Sequence, residues 1–169
     1  LQVSVSRRLS GLPRFRRLGI VPAYSEGWAH YAEQLPLELE PDPDPWARIG
    51  LTVSQLRRAA RLVVDTGIHA RRWTRRDAID WLLEHTPDTE PTSRASVERI
   101  IVMPGQSAAY TLGRLEFVGL RELAEQRLDE HFDLGRFHHA VLGHGPVPLD
   151  VLRGLVLEWI AAEAARVED

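Results

Sequence analysis

The sequence predicts an all-α, multi-helix protein, and three observations carry that expectation. Apolar residues recur at spacings of three and four through most of the chain. Proline, aspartate, threonine and glycine stand where helices would start and stop. The one strand-like alternation, Val3-Ser4-Val5, is too short to build a sheet. A chain of 169 residues is long enough for a core of its own, so residues 1–169 are expected to form a single helical domain.

The elements follow in order. In "SEGWAHYAEQLPLEL", Trp28, Tyr31, Ala32 and Leu35 fall on one stripe, and Ser25 is placed as an N-cap whose hydroxyl accepts from a free first-turn amide. The run "EPDPDPW" interrupts any helix, and Asp44 followed by Pro45 starts a new one. From Pro45 to about Arg72, Ile49, Val53, Leu56, Ala60, Val63, Val64 and Ile68 define one apolar stripe. Gly67 inside that helix costs about 1 kcal/mol relative to alanine and points to a close approach by another group. Thr74 and Asp77 resemble a capping box ahead of "RDAIDWLLEHT". "PDTEPTS" reads as a polar loop, after which Thr92 or Ser93 caps "RASVERIIV". Pro104 opens the longest pattern, and its small residues Gly105, Ser107, Ala108, Ala109 and Gly113 suit close helix packing. Asp133 caps a short helix in "FDLGRFHHAVLGHG", and "PLDVLRGLVLEWIAAEAARVE" is a last amphipathic helix. The total is roughly six to eight helices.

Composition narrows the function classes. The hydrophobic share of 44% and charged share of 27% are those of a soluble globular protein. A net charge of −3 is too small to suggest a nucleic-acid or membrane-surface partner. The basic residues are all arginine, scattered among acids, and no helix is expected to carry a one-sided arginine stripe. The absence of cysteine excludes disulfides and thiolate metal sites and fits a reducing compartment, so the cytoplasm is slightly favoured. No apolar run approaches the ~18 residues of a membrane span. Neither HExxH, a Walker-type loop, GxSxG nor GxGxxG occurs.

Some polar residues stand out. Glu26, His30 and Glu33 share one helix face by spacing, and carboxylate and imidazole both suit zinc at about 2.0–2.2 Å. A solvated polar face explains the same spacing. Asp65 and His69 lie four apart, either as a pair that orients an imidazole or as an ordinary surface contact. His138 and His139 point in different directions on a short helix. Tyr110 lies among Gly, Ser and Ala, either reaching into a cleft or packing in the space they leave.

Four segments carry more together than any does alone. "SEGWAHYAE", "VDTGIHARRWTRRDAIDWL", "VERIIVMPGQSAAYTLG" and "FDLGRFHHAVLGHGPVPLDVL" have the order and spacing of a bacterial family known as domain of unknown function 885. The chain resembles it from Leu1 to about Leu155, and the family resembles zincin-type metallopeptidases of mostly helical build. In that family a helix of the form HExxPGHH is followed by Leu-Gln, and this chain opens on Leu1-Gln2. The resemblance therefore implies a C-terminal portion of a larger catalytic domain, separated from an N-terminal half that holds the histidines and the general-base glutamate.

It also implies roles. Glu26 matches the EGW glutamate that serves as the downstream metal ligand, and Glu33 becomes a supporting carboxylate. His30 stands where the family more often has an apolar residue, so it is not counted as a ligand. Gln106 and Tyr110 fall in the PGQ-x3-Y segment, where Tyr110 faces the cleft and stabilises a developing oxyanion. His138 donates to the same oxyanion or to a substrate carbonyl, and Asp65 and His69 line the cavity. The chemistry implied is zinc-assisted hydrolysis of a peptide or other amide in the complete protein, with no zinc held and no activity expected in this chain alone. A chain parted from its other half is expected to self-associate over an exposed apolar face. Family relatives include exported and lipid-anchored proteins. Two other classes compete: a non-catalytic helical scaffold, and a module in which His69, Tyr110 and His138 bind a small polar ligand without reacting.

Overall fold

The computed structural model describes residues 2–168, with side chains through residue 166, and every regular element among them is helical. The α-helices are α1 (Gln2–Arg8), α2 (Arg14–Leu18), α3 (Pro22–Ala32), α4 (Leu35–Leu39), α5 (Pro45–Arg71), α6 (Arg75–His85), α7 (Glu90–Val102), α8 (Gln106–Leu128), α9 (Leu134–Leu142) and α10 (Leu149–Glu168). One 3-10 turn, Asp129–His131, follows α8. The chain divides into two compact units: a middle unit, Ala29–Leu112, and a terminal unit made of Leu1–Trp28 and Gly113–Asp169.

In the middle unit the start signals work as local chemistry requires. The Asp44 carboxylate accepts from the Trp46 amide at 3.0 Å and caps α5. At α6 the capping box is complete: the Asp77 amide donates to the Thr74 hydroxyl at 3.1 Å, and the Thr74 amide donates to the Asp77 carboxylate at 2.9 Å. Hydrogen bonds from Thr74 hold the Asp77 carboxyl below its ordinary pKa. Ala60 and Val64 of α5, Ala78, Ile79 and Leu82 of α6, and Val97 and Ile100 of α7 form the core, flanked by Ile68, Trp73 and Trp81. Each larger side chain among them contributes about 1.5–3 kcal/mol by leaving water. The predicted stripe of α5 is only partly used. Ile49, Leu56 and Val63 are 53%, 44% and 40% exposed, because the buried cluster with α6 and α7 gathers around Ala60 and Val64.

The end of α5 explains Gly67. Arg72 adopts a left-handed conformation (φ 59°), the chain turns back, and the Trp73 amide donates to the Gly67 carbonyl at 2.9 Å. The Trp73 indole then lies on Gly67, where a Cβ would sit 2.5 Å from ring carbons.

The terminal unit packs aromatics around α8. Tyr24 and Trp28 each meet Phe117 edge-on, with centroids 5.6 Å apart. The buried Tyr24 hydroxyl donates to the Val141 carbonyl at 2.7 Å, and burial pushes its pKa well up. Phe137, Val141 and Leu142 of α9 and Leu152, Val156 and Ile160 of α10 are also buried. Helices α3 and α8 cross where Gly27 meets Gly113: a Cβ on Gly113 would lie 2.0 Å from the Ala23 carbonyl oxygen and 2.6 Å from the Gly27 Cα. The expectation that the small residues of the segment opened by Pro104 allow close helix packing is met at Gly113.

Several boundaries differ from the sequence reading. Ser25 is not a cap, since α3 begins at Pro22 and the Ser25 amide already donates to the Val21 carbonyl at 2.9 Å. Helix α3 stops at Ala32, and "LPLEL" forms the separate α4. Helix α7 starts at Glu90, with Pro91 in its first turn, ahead of Thr92 and Ser93. Pro104 lies in the turn before α8, where Gly105 has φ +77°. Val3 to Val5 is helical, part of α1. The count exceeds the expected range because α1, α2 and α4 are short.

Candidate functional site

Three helix faces of the middle unit line a cavity of about 700 Å³. Helix α5 contributes Ser54, Arg57, Arg58 and Arg61, which fall on one face at i, i+3, i+4 and i+7. Thr92, Ser96 and Arg99 come from α7, and Gln106, Ser107 and Tyr110 from the first turns of α8. The volume is that of a small-molecule or short-peptide site. The expectation that no helix carries a one-sided arginine stripe fails for α5. Its arginines were missed because no motif marks them; the signal was the Ser54-x2-Arg57-Arg58-x2-Arg61 spacing.

The charges inside this cavity are unevenly matched. Arg58 forms a fork with Glu33, Nη2 to Oε1 at 2.6 Å and Nη1 to Oε2 at 2.9 Å, and also donates to the Ser54 hydroxyl. Its guanidinium lies 5.6 Å from the centroid of the Tyr110 ring, a cation–π distance. Arg57 donates from Nε to Asp88 at 2.5 Å, and the Asp88 side chain is only 2% exposed. Arg61 and Arg99 have no ion pair among the described residues. Burial holds the Arg61 pKa below its ordinary value; Asp88 acts against that shift, while the like charges of Arg58, Arg57 and Arg99 add to it.

Asp65 positions one wall. Its carboxylate, 3% exposed, accepts from the Gly105 amide with both oxygens, at 2.9 and 3.0 Å. This ties α5 to the turn that launches Gln106, Ser107 and Tyr110. His69 lies 3.9 Å from Asp65, too far for a hydrogen bond. Its Nε2 instead faces the Ile100 carbonyl at 3.0 Å, and since a carbonyl only accepts, that nitrogen carries the proton. Neither Asp65 nor His69 is among the residues lining the cavity.

The remaining predicted residues have separate surroundings. Glu26 is half-buried on α3, in the terminal unit, and no ion pair forms on it among the described residues. His138, in the same unit, stands perpendicular to the Trp28 indole with centroids 5.2 Å apart. His30 is 2% exposed, with Nδ1 3.3 Å from the Tyr110 carbonyl. Glu33 lies just past the end of α3, exposed and held by Arg58. The three residues that spacing put on one face thus have three different environments.

Among the described residues no three of His, Asp or Glu gather into a group that could hold a metal ion. Glu26 fits the part of a single ligand, a half-buried carboxylate not taken up by an ion pair.

Comparison with known proteins agrees with the helical architecture. No curated protein matches the chain. A crystal structure from Colwellia psychrerythraea, of a protein named as a putative lipoprotein, is similar over 95% of the chain, with 42% identity and a TM-score of 0.92. The chain spans 28% of that protein's length. No helix among the described residues is long and apolar enough to cross a membrane. The family described as bacterial protein of unknown function, DUF885, matches residues 1–156, and the chain belongs to it.

Proposed function

We propose that this chain is the downstream part of a metal-dependent peptidase or related amide hydrolase. The observation that carries the reading is the lining of the cavity: Gln106 and Tyr110, the two residues singled out in the PGQ-x3-Y segment, both face it. Glu26 and His138 belong to the terminal unit and Gln106 and Tyr110 to the middle one, and the roles proposed for them are those the resemblance implies. Glu26 serves as one metal ligand; the other ligands and the general base are those of the HExxPGHH motif that the resemblance implies. Zinc, when bound, lowers the pKa of a water toward about 7 and polarises the carbonyl.

The chain's own residues then bind and orient. Tyr110 donates its hydroxyl to a carbonyl oxygen as that oxygen gains charge, a bond that strengthens toward the transition state. Arg58 lies against the Tyr110 ring, and Glu33 fixes Arg58, so Glu33 acts as a positioning residue. Asp65 fixes the turn that sets the register of α8. His138, edge-on to the Trp28 indole, keeps the hydrogen-bonding role that the resemblance implies.

In a protein that joins this chain to an HExxPGHH segment, Tyr110→Phe is expected to lower kcat roughly tenfold or more with little change in KM, the pattern of a lost transition-state hydrogen bond. Steady-state kinetics on a hydrolysed peptide would show it; an unchanged kcat removes Tyr110 from the mechanism. A second reading, a binding module without turnover, is favoured by the two arginines that lack a carboxylate. It predicts saturable binding that is indifferent to metal.

A further inference from the structure

We infer that the cavity of the middle unit is a carboxylate clamp, in which Arg61 and Arg99 receive a free carboxylate of a peptide. Four arginines line this space, and Arg57 and Arg58 are already held by Asp88 and Glu33. Two positive charges remain uncovered, one on α5 and one on α7. Arg61 is only partly exposed, so its guanidinium has given up part of its water without gaining a carboxylate. A carboxylate entering between the two arginines restores that balance, and the planar guanidinium suits its two oxygens.

The rest of the lining fits a peptide and not a bare ion. Ser96, Gln106, Ser107 and Tyr110 offer hydroxyl and amide groups that can meet a backbone, and Ala95 and Pro91 add apolar surface. A cavity of about 700 Å³ is far larger than a single oxyanion needs. Asp88 has a second function here: held by Arg57, it keeps one negative charge near Arg61 and offsets part of the repulsion among the arginines. The peptide identity of the ligand rests on the amide-hydrolase reading; the charge of the site does not.

The test is isothermal titration calorimetry on the full 169-residue chain at low ionic strength, where screening is weakest. The probes are trialanine with a free C-terminus, the same peptide acetylated and amidated, an acetylated and amidated Ala-Glu-Ala, and inorganic phosphate. Binding of either carboxylate peptide but not of the capped neutral one is expected, and the pair tells a C-terminal carboxylate from an acidic side chain. Arg61→Gln should weaken binding by roughly tenfold or more, and exposed Arg99→Gln serves if the first variant folds poorly. Arg76→Gln, on an exposed arginine paired with Asp80, should leave binding unchanged. Phosphate binding tighter than both carboxylate peptides would overturn the peptide assignment. Absence of binding, or binding indifferent to Arg61 and Arg99, would overturn the clamp. Because no turnover is read, a clamp that binds in a protein that never hydrolyses peptides would sink the hydrolase reading alone.

Discussion

Gly113→Ala should destabilise the protein by about 3 kcal/mol or more, at the upper end of what overpacking costs. The new methyl would lie 2.0 Å from the Ala23 carbonyl oxygen and 2.6 Å from the Gly27 Cα, and both are backbone atoms. No side chain can rotate out of the way, so α3 and α8 would have to separate. That separation would loosen the edge-on contacts of Tyr24 and Trp28 with Phe117, none of which is more than 5% exposed. For a chain of this size the shift in melting temperature is about 6–12 °C. Gly119→Ala provides the contrast on the same helix. Nothing lies within 4 Å of the added Cβ, so the alanine should stabilise by up to about 1 kcal/mol through helix propensity. Urea denaturation of both variants measures the pair. Equal effects would mean that α3 and α8 do not meet at Gly113.

The second large effect is at Asp65. Asp65→Ala should cost about 2 kcal/mol, because the Gly105 amide loses a charged acceptor in a part-buried turn. It should also impair peptide binding, since the turn from residue 103 to 105 sets the start of α8 and with it Gln106, Ser107 and Tyr110. Asp65→Asn keeps one acceptor oxygen and should lose less on both counts. Thermal melts and calorimetric titration of the two variants check this. Full binding by a destabilised Asp65→Ala protein would show that the turn does not position the cavity wall.

The middle of the chain was the most legible part of the sequence. Asp44-Pro45 and the Thr74–Asp77 box are local chemistry, and each holds its helix start in the structure as its residue types require. Gly67 announced a close neighbour, although only the fold shows that it is Trp73. Helices α1, α2 and α4, of five to seven residues, carry too few turns for a periodic signal and depend on tertiary packing. Ser25 misled because a serine before an apolar run is a cap signal, whereas Pro22 had already started the helix. Of the residues that line the cavity, Gln106 and Tyr110 lie in a segment that the resemblance singles out. The arginine set was not: Arg61 and Arg99 are far apart in sequence, and Arg58 looks like surface charge until Glu33 and the Tyr110 ring are placed beside it. Asp65 and His69 had a helical spacing that suggested a pair, but the side chains turn to backbone groups of two other segments instead.

The role of Glu26 as a metal ligand is tested most directly by metal content. Plasma mass spectrometry on a protein that joins this chain to an HExxPGHH segment of the family should find about one zinc per molecule, and Glu26→Ala should remove most of it while the helical circular dichroism stays unchanged. Zinc retained in full by a folded Glu26→Ala protein, or no metal in the unaltered one, would contradict the reading.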